Sequence, residues 1–162
     1  MIFITLGSQK FQFNRLLKAV DELIQNGKIT DTVFAQIGYS DYEPHYYEFK
    51  RFLNRDEFGK ITDEADIVIT HGGTGAIIGA VKKGKKVIAV PRRREYGEHV
   101  DDHQLQIIEQ FTELGLICPC MQINSLEAAL EIVQKTKYKQ YESNTGVIIK
   151  SIESFIEENS VL

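Results

Sequence analysis

The chain has 162 residues, which suits one domain with one core, and 43% hydrophobic against 26% charged residues is an ordinary globular balance. A formal net charge of -4 argues against a dedicated nucleic-acid binder, which carries a basic balance. The two cysteines, Cys118 and Cys120, are too few for a four-ligand zinc site and too close for an unstrained disulfide. They fit small buried hydrophobes in a protein of a reducing, cytoplasmic compartment. The first residues lack a basic lead and turn polar after Leu6, so they read as neither signal peptide nor membrane span.

Taken in order, residues 2–6 form a short apolar run closed by Gly7, a buried strand. Residues 14–26 place Leu16, Leu17, Val20, Leu23 and Ile24 on one helical face, and Gly27 stops them. Residues 32–37 predict a second strand, 38–44 a turn-rich loop, and 46–52 a third strand of mixed polarity. A helix over 54–65 leads into a clear strand at 66–70. The glycine-rich run His71-Gly72-Gly73-Thr74-Gly75 follows, then a helix over 76–83 and a strand over 86–90. Residues 91–98 are a charged loop. The spacing then predicts a helix over 100–114 with Leu105, Ile108, Phe111 and Leu114 in step, a short strand at 116–118, and helices near 126–134 and 145–158. Strands alternating with helices imply a doubly wound, Rossmann-like α/β domain with a mostly parallel sheet, spanning 1–162.

In such sheets ligands bind beyond the carboxyl ends of the strands, which directs attention to loops 7–13, 38–45, 71–75 and 91–99. Three glycines at Gly72, Gly73 and Gly75 let the backbone turn sharply and approach a ligand closely. The helix after them begins with unpaired N–H groups, a seat for phosphate to which Thr74 adds a hydroxyl. A turn chosen only for packing would look the same. The dinucleotide fingerprint Gly-x-Gly-x-x-Gly is missing after Gly7. Residues 79–86 imitate a phosphate-binding P-loop but lack its final Ser or Thr and run from helix into strand, so a nucleoside-triphosphate site is excluded.

Arg92 and Arg93 follow the next strand, where guanidinium groups suit bidentate phosphate recognition, although a solvated basic loop is the plainer reading. Asp102, His103 and Gln104 open the following helix and offer directional hydrogen bonds near the same edge. Lys82, Lys83, Lys85 and Lys86 fall away from it and read as solvated.

The order Ile67 to Gly75, a helix, Gly84, Val87 to Pro91, then His99-Val100-Asp101-Asp102-His103-Gln104 resembles the carboxy-terminal, family 28 type domain of GT-B glycosyltransferases. Ile2 to Gln9, Phe13 and Arg15, and Gln36 to Ser40 extend the resemblance along nearly the whole chain. It is similar to the small soluble subunits of two-component enzymes that add GlcNAc to a dolichol-linked sugar, and to bacterial counterparts in capsular and exopolysaccharide synthesis. The resemblance implies half of a GT-B fold that binds a UDP-sugar, with the glycine turn and its helix start holding the diphosphate, residues after Pro91 approaching the sugar, and Gly7 and His71 among the substrate-binding residues. It further implies no cofactor and no metal, a membrane-associated partner subunit that binds the acceptor, and transfer to a lipid-linked saccharide. Many relatives grip the ribose with an acidic residue where this chain has Gly79, which leaves that task to Asp102 or Gln104.

A bisubstrate transferase must hold both reactants and exclude water, so a lone domain of this size implies a second protein. The general base then falls to the partner, with His71 as the local alternative. Two other readings stand beside this one: a non-catalytic activating or scaffolding subunit, and a different nucleotide-sugar enzyme such as an epimerase.

Overall fold

The structure, a computed structural model, describes residues 1–142 and 145–159. Along it run β1 (Ile2–Thr5), α1 (Asn14–Gln25), β2 (Val33–Gln36), β3 (Glu48–Lys50), α2 (Arg55–Glu64), β4 (Ile67–Thr70), α3 (Thr74–Lys82), β5 (Lys86–Ala89), α4 (His103–Glu113), β6 (Cys118–Pro119), α5 (Leu126–Lys135) and α6 (Thr145–Asn159). All strand pairings are parallel and the order is β3-β2-β1-β4-β5-β6, the doubly wound α/β arrangement expected.

Alternation along the strands sorts the core into two layers. Ile2, Ile4, Val33, Ala35, Ile67, Ile69 and Ile88 face Leu16, Leu17 and Val20 of α1 and Leu126, Leu130 and Val133 of α5. Phe3, Val68, Val87 and Ala89 face the other way, onto Ile77 and Val81 of α3, Ile108 and Phe111 of α4, and Ile152 of α6. Both faces of the sheet are thus dry, which is why the strands read as apolar runs. The cysteines are buried and free, Cys118 within β6 and Cys120 just after it.

Several boundaries differ from the sequence reading. The helix after the glycine turn begins at Thr74, two residues early, because Gly73 serves as its N-cap. The next helix begins at His103 rather than residue 100, since the chain before it is held in a turn by Gly97 (φ 67°) and by the buried Glu98. Its buried face is Gln104, Ile107, Ile108 and Phe111, so Leu105 and Leu114 lie off it. The third strand is shorter than expected and the sixth sits at Cys118–Pro119. α2 opens with a reciprocal cap in which the Asn54 side chain accepts from the Glu57 N–H and the Glu57 carboxylate accepts from the Asn54 N–H.

The loop between β2 and β3 is fixed by a carboxylate inside α1. Asp21 is 3% exposed and accepts from the Tyr42 hydroxyl at 2.6 Å, the His45 N–H at 2.8 Å and the Tyr46 N–H at 2.9 Å. The bond to Asp21, helped by burial, pushes the Tyr42 hydroxyl up to about 12. Replacing Asp21 with Ala removes the acceptor of three half-buried donors. Urea unfolding of Asp21→Ala is expected to show about 2 kcal/mol less stability than the parent chain, whereas a loss under about 0.5 kcal/mol would mean that the loop is held elsewhere.

Candidate functional site at the carboxyl edge of the sheet

In a sheet of this order the chain winds away in opposite directions from β1 and β4, so the loops leaving those two strands separate and open a gap beyond their carboxyl ends. Gly7 leaves β1 and His71 leaves β4, and they meet there. The His71 ring is 8% exposed, with Nδ1 3.4 Å from both the Thr5 carbonyl and the Thr70 hydroxyl. A Cβ on Gly7 would lie 2.8 Å from the ring, and one on Gly73 would lie 2.6 Å from Nε2. These glycines are therefore spaces for an imidazole, and Gly7 (φ 71°) needs its freedom twice over. Gly72 (φ 86°) is as tightly placed, because a Cβ there would meet the Ile108 side chain at 2.8 Å.

Beyond this turn α3 starts bare. Its N-cap is Gly73, which has no side chain to offer, and the first bond within the helix is Ile77 N–H to the Gly73 carbonyl at 3.1 Å. Among the described residues the N–H groups of Thr74, Gly75 and Ala76 and the Thr74 hydroxyl have no protein acceptor. Three aligned donors at the positive end of a helix dipole, on the edge where the sheet opens, form an anion seat in waiting.

The arginines after β5 divide. Arg92 is 1% exposed and reaches away from solvent. One of its terminal nitrogens donates to the Leu6 carbonyl at 2.6 Å and the other to the carbonyls of Phe11 and Glu98 at 2.8 and 3.3 Å, while its backbone N–H donates to the Gln104 side chain at 3.0 Å. Burial pulls this guanidinium down to about 10, against the opposing pull of Glu98, so it stays charged at neutral pH. Arg92 thus ties loops together, and Gln104 holds its backbone. Arg93 is different. Its Nε is buried without a hydrogen-bond partner among the described residues, and only loose ion pairs to Glu95 at 3.5 Å and Asp102 at 3.8 Å hold its fork. Asp102, the N-cap of α4, accepts from the Arg94 N–H at 3.0 Å. His103 has a buried Nδ1 with no partner among the described residues.

Two residues that hold this edge carried no local signal in sequence as a pair. Glu98 is 1% exposed and takes Arg15 in a bidentate grip at 2.9 and 3.0 Å, and it also accepts from the Arg93 N–H at 2.8 Å. Arg15 stacks over the Tyr96 ring at 4.8 Å. Gly79, on the exposed side of α3, has open space where a side chain would stand.

Residues 1–158 match the glycosyltransferase family 28 C-terminal domain. The chain belongs to that family. Among curated proteins, the UDP-N-acetylglucosamine transferase subunit ALG13 of Saccharomyces cerevisiae is 34% identical over 82 residues, 50% of this chain and 39% of that protein. The Candida albicans subunit of the same name is 32% identical over 80 residues, 49% of this chain and 26% of that protein. The match thus spans less than half the length of either relative. Among solved structures, ALG13 in solution has a TM-score of 0.57 at 22% identity, covering 86% of this chain and 87% of that one. MurG of Acinetobacter baumannii has a TM-score of 0.56 at 20% identity, over 82% of this chain and 41% of that one. The fold is that of half a GT-B glycosyltransferase. Among the described residues no helix is long and apolar enough to cross a membrane.

His71 makes a family 28 edge of this kind sensitive to acid. Desolvation first, then the Arg92 charge, hold its pKa down at about 4 against an ordinary 6.5. As pH falls the unfolded chain takes up this proton before the folded one, so His71 adds stability above pH 6.5 that is lost on descending to pH 4. The stability difference between the parent chain and His71→Gln is expected to shrink by about 3 kcal/mol between pH 7 and pH 4. A difference that stays constant across that range would show a histidine that titrates normally.

Proposed function

We propose that this family 28 domain binds a UDP-linked hexose, of galactose or GlcNAc type, and passes it to a lipid-linked saccharide only when joined by an acceptor-binding partner. The observation that carries the reading is the bare start of α3 at the opening of the sheet, where three N–H groups and the Thr74 hydroxyl converge without an acceptor. A diphosphate supplies the acceptors that these donors lack, and the same groups then favour the charge that grows on UDP as it leaves. Arg93 and His103 have unpartnered nitrogens on the adjacent loop and would approach the donor from its other side.

In the transfer an acceptor oxygen attacks the sugar's anomeric carbon, the bond to the diphosphate breaks with its electron pair on UDP, and a base takes the acceptor's proton. His71 is a poor base here, being buried and held at about 4, which favours a base on the partner. That ALG13 is named a transferase subunit supports a two-component enzyme. The proposed role is in capsular or exopolysaccharide synthesis, with the partner recruiting this domain to the cytoplasmic membrane face. A scaffolding role is the second reading. It draws on Gly79, which leaves the helix without a ribose-gripping carboxylate, and on Gln104, whose side-chain oxygen is already engaged by Arg92.

Calorimetric titration of UDP, UDP-galactose and UDP-GlcNAc separates the two. Saturable binding that weakens about tenfold in Thr74→Val and in Arg93→Ala is expected of a donor site. Absence of binding both by the chain and by its co-purified complex would leave the scaffold. Sugar transfer to a lipid-linked acceptor is expected from the complex alone, and efficient transfer by the single chain would contradict the two-component reading.

A further inference from the structure

The opposite edge of the sheet carries a second feature, independent of the donor reading. A cavity of about 730 Å³ opens beside the amino end of β5, within the size range of small-molecule sites. The turn from α3 to β5 brings Lys82, Lys83, Lys85 and Lys86 to it. The segment after α5 brings Lys135, Lys137 and Lys139. Seven of the chain's 13 lysines thus line one cavity, and none of its 23 acidic residues does. In a chain of net charge -4 this is strong segregation, since the surface elsewhere is more acidic still.

The ammonium groups are largely uncompensated. Of the seven, Lys83 alone has a carboxylate within ion-pair distance among the described residues, Asp63 at 2.7 Å. Lys85 and Lys86 donate to the carbonyls of Asp63 and Gln134, each at 2.7 Å, which fixes the positions of the charges without neutralising them. Lys82 lies over the Tyr141 ring at 5.7 Å. Tyr141 also lines the cavity, and its buried hydroxyl has no hydrogen-bond partner among the described residues. Like charges gathered within a Debye length repel one another, and a folded chain that keeps them together gains most when an anion enters.

We propose that this cavity is a binding site for multiply charged phosphate groups, separate from the donor edge. Lysines supply compact charges on long stems and do not demand the planar fork geometry of a single carboxylate, so they suit a ligand carrying several phosphates. Tyr141 adds one directional hydrogen bond. The same chemistry is offered by a soluble oligophosphate and by the headgroups of an anionic bilayer, to which each lysine near the surface adds attraction.

The purified chain is titrated calorimetrically with inorganic tripolyphosphate, and in a second arm floated with phosphatidylcholine vesicles with and without phosphatidylserine. Lys137→Gln/Lys139→Gln tests the cavity, and Lys18→Gln/Lys60→Gln matches its charge change elsewhere on the surface. Thermal unfolding confirms that both variants are folded. Salt-sensitive binding that falls roughly tenfold or more in the cavity variant and persists in the control is expected. Binding in the first arm identifies a soluble oligophosphate as the ligand, and binding to phosphatidylserine vesicles alone identifies headgroups. Absence of binding in both arms, or equal loss in both variants, overturns the proposal.

Discussion

One buried guanidinium holds the carboxyl edge of this sheet together. Arg92 donates to carbonyls on the loop after β1 and on its own loop after β5, at Leu6, Phe11 and Glu98, while Gln104 at the start of α4 accepts from its backbone. Carbonyl oxygens are partial charges, so several are needed to replace the water that a buried cation loses. The Phe13 ring face at 5.4 Å adds a further favourable contact. Glu98 completes the arrangement by tying Arg15 of α1 to the loop that carries Arg93. Gln12, donating to the Tyr96 carbonyl at 3.0 Å, and the His99–Gln9 contact at 3.0 Å join the same two loops nearer the surface.

With those loops fixed, the other wall can be spare. His71 packs into space left by Gly7 and Gly73, and the turn feeds α3 without a capping side chain. An exposed helix start gains about 1 kcal/mol from a cap, so its omission is a modest cost that leaves donors open to a ligand. The edge therefore combines a wall tied together by Arg92 and Glu98 with a helix start that is left open. That asymmetry is what a site for an incoming anion requires. The amino edge shows the complementary case, with Lys85 and Lys86 fixed by carbonyls and without an ion-paired carboxylate among the described residues.

Much of this was legible in the chain itself. Apolar runs at 2–6 and 66–70 and the glycines at 72, 73 and 75 carry their structural meaning locally, because strand burial and close backbone approach depend on neighbouring residues. The role of Arg92 is not local. Nothing in Pro91-Arg92-Arg93-Arg94 distinguishes the arginine that turns inward to a carbonyl 86 residues earlier from the one that stays near solvent. The pairing of Arg15 with Glu98 and the joining of Lys82–Lys86 with Lys135–Lys139 are likewise products of topology. At α4 an every-third-residue reading drifted across the helix surface, so Leu105 and Leu114 were placed on a face that Gln104 and Ile107 occupy.

The most direct test of the central claim, that the bare start of α3 seats a diphosphate, is backbone-amide NMR during titration with UDP. The largest saturable shifts are expected at Gly73, Thr74, Gly75 and Ala76, with any shifts at 82–86 smaller. Shifts centred on 82–86 and 134–141 while 73–76 stay in place would contradict it.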